Sequence, residues 1–157
     1  MLSRLSPALA GPFFAALGAA TLGMAFLAQY GFGLAPCELC IWQRWPYAAA
    51  ILLGLAAWKL ERARPALLGL VALAFMATAA VGVFHFGVEQ KWWPGLSGCS
   101  GGNTATSIEA LRAQILAAPV VRCDDIAFSF LGLSMAGWNA LWAALLALLA
   151  ATKALRP

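Results

Sequence analysis

The sequence predicts an all-α fold, a four-helix bundle embedded in a membrane, on three observations. First, 63% of the 157 residues are hydrophobic and 10% are charged, against about 25% charged in soluble domains. Such a chain cannot clothe a water-facing surface. Second, four nearly uncharged runs approach the roughly 20 residues that a helix needs to cross a hydrocarbon core. Third, lipid-exposed backbone must satisfy its own hydrogen bonds, and the alternating strands of a membrane barrel are absent from the sequence. The ten lysines and arginines form no cluster that would grip nucleic acid, so no nucleic-acid partner is expected. A single transmembrane domain, residues 1–157, is expected.

The first span is expected at residues 8–28, inside a charge-free stretch. Arg4 gives it a basic start, yet the apolar run far exceeds the ~7–15 residues of a signal-peptide core, so it reads as a retained helix. LAPC, residues 34–37, faintly resembles a lipoprotein cleavage box. Pro36 and the long run ahead of it argue against lipidation. The first outer connection, residues 29–40, is a turn built on Gly31, Gly33 and Pro36. The second span is expected at residues 41–58. Only residues 45–58 of it are uncharged, which is short for a span, so Arg44 must lie in the first turns of that helix. Trp42 and Trp45 suit the headgroup level, where amphipathic aromatic rings collect.

The third span is expected at residues 65–86 and the fourth at 135–151. Between them, residues 87–134 are too many for an ordinary loop, which makes this connection a functional suspect. Trp92 and Trp93 are placed in the interface. SGCSGGN surrounds Cys99 with flexible residues and suits a thiol that a partner must reach. Thr106 and Glu109 match a capping box. Ile108, Leu111 and Ile115 then fall on one helical face, with Glu109, Arg112 and Gln114 elsewhere. This predicts a short amphipathic helix lying on the membrane and ending before Pro119. Cys123 follows, beside Arg122, Asp124 and Asp125, on a loop able to swing toward the first connection.

Lys and Arg in short loops mark the cytoplasmic side. Arg4, Lys59, Arg62, Arg64, Lys153 and Arg156 fall on one side against Glu61 alone, a net +5. Arg44, Lys91, Arg112 and Arg122 fall on the other against Glu38, Glu89, Glu109, Asp124 and Asp125, a net −1. Both termini are therefore expected in the cytoplasm, and all four cysteines on the outer, oxidising face. There an even cysteine count reads first as disulfides, with three pairings open.

Cys37 and Cys40 form a CxxC at the start of a helix, where free N–H groups and partial positive charge favour thiolate. As a mere staple the pair would do little, because so small a loop constrains the unfolded chain weakly. A redox pair is the better reading. Arg44 lies four residues beyond Cys40 and seven beyond Cys37, so all three share a face. A cation there stabilises a Cys40 thiolate and offers a grip on an electronegative ligand atom. The bland alternative is a snorkelling interfacial arginine. A zinc site would need further ligands at bonding spacing. Cys99 and Cys123 stand 24 apart, so no metal is assigned. For those two, a loop-bracing disulfide competes with an exchanging one. His85 lies near the outer end of the third span, either as a hydrogen-bond donor to a bound ligand or as a structural histidine. Gln43, Glu38 and Glu89 are read as solvated interface residues.

In sum these residues resemble the DsbB family, bacterial inner-membrane proteins that reoxidise the periplasmic thiol oxidase DsbA. CELCIWQRW looks like that family's CxLCxxxR signature, and FLGLSMAGWN, residues 130–139, like its FLGLxMPxWx segment, with Ala136 in place of the proline. The four spans and the long second loop with two cysteines agree. The resemblance implies a protein-dithiol:quinone oxidoreductase, with ubiquinone or menaquinone as acceptor and a DsbA-type oxidase as partner. It implies that Cys99 is attacked by reduced DsbA and that Cys123, its loop partner, exchanges with Cys37. Cys40 would face the quinone, with Arg44 and His85 near the quinone oxygens. Two alternatives remain in view. One is a vitamin K epoxide reductase-like enzyme, in which loop cysteines precede the CxxC rather than follow it. The other is a structural subunit with loop-bracing disulfides.

Overall fold

The structure is a computed structural model that describes residues 6–96, 99, 107–117 and 121–155. Six α-helices and one small hairpin are described: α1 (Pro7–Phe26), α2 (Glu38–Trp42), α3 (Arg44–Lys59), α4 (Arg64–Glu89), α5 (Ile108–Ala117), β1 (Ser129–Phe130), β2 (Leu133–Ser134) and α6 (Met135–Leu155). α1 runs on through a π-helical turn, Leu27–Gly31. Arg4, Arg156, Thr106 and Pro119, together with the glycines and serines flanking Cys99, lie outside the described residues.

Three stretches are long and apolar enough to cross a membrane: Pro7–Gly31 with 25 residues, Glu61–Glu89 with 29 and Met135–Leu155 with 21. The expected second helix differs. It is broken at Gln43 into the five-residue α2 and the 16-residue α3. Pro46 explains the break: it has no N–H, and its ring crowds the carbonyl four residues back, at Trp42. Proline is tolerated in the first turn of a helix, so α3 restarts at Arg44. At its far end, Arg64 Nε donates to the Ala57 carbonyl at 3.1 Å, satisfying an acceptor the ending helix leaves open.

α1 packs on α3, α3 on α4, and α4 most extensively on α6. In lipid the tails are as apolar as leucine, so small residues that admit close backbone approach drive helix association. Here Ala10, Gly11, Phe14, Ala15 and Gly18 of α1 meet Tyr47, Ala50, Gly54 and Ala57 of α3. A Cβ on Gly54 would stand 2.7 Å from the Gly11 carbonyl oxygen. α4 supplies Leu68, Val71 and Phe75 to the same core, and α6 supplies Ala143, Leu146, Ala147 and Ala150. Leu52, Leu73, Met76, Leu145 and Leu148 are exposed on the outside of the bundle, as a lipid-facing surface requires.

The hairpin was not expected. It pairs Phe130 with Leu133 across Leu131 and Gly132, which have φ of 51° and 78°. A tight hairpin needs positive φ at both central residues, and glycine supplies one at no steric cost. Trp138 Nε1 donates to the Phe130 carbonyl at 2.9 Å and ties the hairpin to α6. α5 forms where the periodicity places it, with Ile108 and Leu116 exposed; its first turn is capped by Ser107, whose Oγ accepts from the Ala110 amide at 3.1 Å, and the expected cap Thr106 lies outside the described residues. The side chains of Leu111 and Ile115 lie outside the described residues.

Gly54→Leu is expected to lower the stability of the solubilised protein by roughly 1–3 kcal/mol, the usual cost of overpacking. Gly69→Ala, where a Cβ meets nothing within 4 Å, should be silent. Unfolding monitored by helical circular dichroism reads both.

Candidate active site

Cys37 is the N-cap of α2, and its sulfur accepts from the Cys40 amide at 3.3 Å. The three-residue spacing at a helix start brings the two sulfurs to 3.0 Å, with Cys37 donating to Cys40. Both are free thiols. That donation lowers the Cys40 thiol to about 7, against the opposing effect of burial. The same hydrogen bond, aided by burial, pushes Cys37 upward. The two members of the pair thus differ in kind: Cys40 holds the thiolate and Cys37 the proton.

Beneath them lies a buried polar chain that the sequence did not show. Tyr47 Oη donates to Asn139 Oδ1 at 2.8 Å, and Asn139 Nδ2 donates to Gln43 Oε1 at 2.5 Å. Gln43 Nε2 donates to the Leu39 carbonyl at 3.2 Å and faces His85 Nδ1 at 3.0 Å. His85 Nε2 lies 3.5 Å from Cys37 Sγ and 3.7 Å from Glu89 Oε1. Ser134 Oγ donates to Glu89 Oε2. Gln43 and Glu89 are buried, which corrects their reading as solvated interface residues. The break at Pro46 turns Gln43 inward, where Thr78 Oγ1 also donates to its carbonyl at 2.6 Å. Glu38 is exposed. Residue type along the sequence could not reveal the burial of Gln43, because its partners His85 and Asn139 lie 42 and 96 residues away.

The loop cysteines are joined to each other, Cys99 to Cys123, with Cα atoms 5.2 Å apart. The Cys123 amide donates to the Cys99 carbonyl at 2.8 Å. Both are buried, in one apolar cluster with Cys37, Leu39 and Val88. The expectation of an exposed Cys99 is thereby corrected: it shows 1% of its surface, within a cluster against which Leu96 and Val121 pack. The swing of the Cys123 loop toward the first connection is already made. Asp124 holds the loop, accepting from Lys91 Nζ at 2.8 Å and Arg122 at 2.7 Å. Those contacts keep its carboxyl well below the ordinary range, the Arg122 hydrogen bond foremost.

A cavity of about 440 Å³ opens beside the CxxC. Leu22, Met24, Leu27, Phe32, Leu34 and Trp142 give it apolar walls, and Cys40, Arg44, His85 and Glu89 reach it as polar groups. Arg44 Nη1 donates to Gln29 Oε1 at 2.7 Å, and its guanidinium lies 5.0 Å from the centre of the Phe26 ring. It is therefore anchored to the end of the first helix rather than to Cys40 directly. Cys37, Cys40 and His85 offer three ligand atoms within 4.8 Å of one another, close enough for a metal. The Leu39 carbonyl only accepts, so it fixes the Gln43 amide nitrogen in place. His85 Nδ1 must then accept, and the neutral ring carries its proton on Nε2, where a metal would need a lone pair. This favours donation to sulfur over metal ligation.

Comparison with known proteins supplies the family. The family model for Disulfide bond formation protein DsbB matches residues 8–152. Proteins named Disulfide bond formation protein B from two strains of Xanthomonas oryzae pv. oryzae are each 33% identical over 133 residues, covering 79% of this chain and 76% of theirs. An uncharacterized protein of Rickettsia prowazekii (strain Madrid E) is 27% identical over 123 residues, 76% of this chain and 72% of its own length. No solved structure gives a significant match. With nearly its whole length matched, and with apolar helices and a disulfide beside a CxxC, the chain belongs to the DsbB family of disulfide bond formation proteins, membrane oxidoreductases that act on disulfides.

Proposed function

We propose that this protein reoxidises a DsbA-type periplasmic thiol oxidase and passes the electrons to a membrane quinone, ubiquinone or menaquinone. One observation carries the reading: a loop disulfide, Cys99–Cys123, packs in one cluster with Cys37, whose sulfur touches Cys40 at the rim of an apolar cavity. That order of sulfurs is a path for electrons. The two Xanthomonas relatives are named for disulfide bond formation, in keeping with it.

The protein is a single domain spanning the bacterial inner membrane four times, residues 41–58, the end of α2 and α3, supplying the second span and leaving Cys37 and Cys40 outside it. The charge bias of the connections, net +5 against −1, supports cytoplasmic termini and periplasmic cysteines. Reduced partner thiolate attacks Cys99, forming a mixed disulfide and releasing Cys123. Because Cys99 is buried, the loop must part for this step. When the CxxC pair is in its oxidised form, a Cys37–Cys40 disulfide, Cys123 attacks Cys37 and Cys40 leaves as thiolate, the sulfur whose pKa in the reduced pair lies near 7. The partner's second thiol attacks its own sulfur in the mixed disulfide and releases Cys99, and Cys99 then attacks Cys123, which restores the loop disulfide and frees Cys37. DsbA is strongly oxidising, about −120 mV, so its electrons need an acceptor of still higher effective potential. An apolar slot with a few convergent polar groups fits a flat lipophilic carbonyl compound. Cys40 at the rim and Arg44 would hold the quinone, which supplies two-electron acceptance there, with the His85 ring near it as part of the wall, its nitrogens facing Gln43 and Cys37.

Purified protein mixed with reduced DsbA-type partner and quinone tests the reading through quinone absorbance. Cys40→Ala is expected to abolish quinone reduction, and a normal rate in that variant would overturn the assignment. Cys123→Ala should accumulate a partner joined through Cys99, visible on non-reducing gels. In the reduced protein, alkylation of Cys40 should rise with pH to half its maximum near pH 7, since its pKa is lowered to about 7 and only thiolate reacts. Cys37 should stay slow through that range.

A further inference from the structure

We infer that Gln43 is a positioning residue: it holds His85 in the Nε2–H form and aims that N–H at the Cys37 sulfur. The inference deepens the thiol exchange proposed above and rests on it for its kinetic consequence, but not for its geometry. The direction of every hydrogen bond in the chain follows from one end. The Leu39 carbonyl can only accept, so Gln43 Nε2 must face it. The second N–H of the same nitrogen then points to His85 Nδ1. Gln43 Oε1 is left to accept from Asn139 Nδ2, and Asn139 Oδ1 to accept from Tyr47 Oη. With Nδ1 accepting, the neutral ring has one N–H, at Nε2; Cys37 Sγ lies 3.5 Å away, and the Cys123 backbone carbonyl also faces the ring, so the imidazole stands between the two sulfurs' residues. Glu89 Oε1 at 3.7 Å is beyond hydrogen-bond reach, and Ser134 holds that carboxyl from its other oxygen.

The consequence concerns the sulfur that leaves. When Cys99 attacks Cys123 in the Cys37–Cys123 mixed disulfide, the Cys99–Cys123 bond forms and the Cys123–Cys37 bond breaks. The electron pair goes to Cys37, and the proton of the Cys99 thiol is released to solvent. Cys37 becomes a thiolate in an apolar cluster, with Leu39, Val88 and Cys123 around it. The His85 N–H is placed to donate to it, giving a hydrogen bond without giving up the proton. Hydrogen bonds to charged groups are the strong ones. The arrangement therefore lowers the barrier to releasing Cys37, while Arg44, held at Gln29 on the other side of the cavity, serves the Cys40 end.

His85 is the only histidine in the chain, so isotope-labelled histidine gives a single imidazole in the nitrogen spectrum of the full-length protein. The wild type is expected to show Nε2 protonated and Nδ1 bare. Gln43→Met, similar in size but without a donor, should yield mixed tautomers. Single-turnover transfer from the loop pair to the CxxC pair should slow in that variant by about 10- to 100-fold, the range a charge-assisted hydrogen bond supplies, with the KM for quinone unchanged. A wild-type ring protonated at Nδ1 overturns the inference, whether or not the variant folds. So does a Gln43→Met protein that keeps both the wild-type tautomer and the wild-type transfer rate. A wild type that shows the Nε2–H form but never exchanges with the partner would remove the proposed function and leave the positioning role standing.

Discussion

Pro46 takes one backbone donor out of the helix that follows the CxxC, and Gln43, at the break, ties that turn to the helices around it. In a low-dielectric interior an unsatisfied amide group costs about 1–3 kcal/mol, so a buried glutamine persists only with its partners in place. Gln43 has a partner from each neighbouring element: Leu39 in α2, His85 and Thr78 in α4, and Asn139 in α6. The position of α2, and with it the placing of both CxxC sulfurs, is referred through this one side chain to the two helices that pack most extensively. A helix unbroken at Gln43 would carry Cys37 and Cys40 in a different direction.

Around that point the bundle is closed by shape rather than by greasy attraction. Glycine and alanine line the contacts of α1 with α3 and of α4 with α6, Gly11 facing Gly54 and Gly82 facing Ala140. Such surfaces interlock at close range and leave little room for sliding. Larger side chains, Phe14, Phe75 and Tyr47, gather in the centre of the same core. The outer leucines face away from it. Rigid helices beneath, with function carried by the connections above, is the arrangement expected where thiols must meet in sequence.

Much of the fold was legible because a membrane simplifies the reading. Apolar runs, their lengths and the basic residues between them report directly on helices, and α1, α4 and α6 lie close to the stretches expected. The interruption at Gln43 was not legible, since a proline in the first turn of a helix and a proline in mid-span look alike without knowing where the helix starts. The hairpin after Cys123 is too short for periodicity to register; its sign was Gly132, within a string noticed for other reasons. At the site, Cys37, Cys40, Arg44 and His85 could be named from residue type and spacing. Their mutual geometry could not, and neither could the burial of Glu89 and Gln43, because hydrogen-bond partners 42 to 96 residues apart in sequence leave no local pattern. The covering of Cys99 was misread for a related reason: glycine and serine neighbours describe the strand that carries a thiol, not what packs on it.

That covering has a meaning of its own. Cys99 shows 1% of its surface and Cys123 none, and thiol exchange demands approach along the axis of the bond being broken. A small thiol diffusing past finds no such approach. A folded partner that brings enough contact surface to prise the loop aside does. If the proposed function holds, the closed loop works as insulation on a wire: it withholds the loop disulfide from small reductants and leaves it open to a protein able to part the apolar cluster around it.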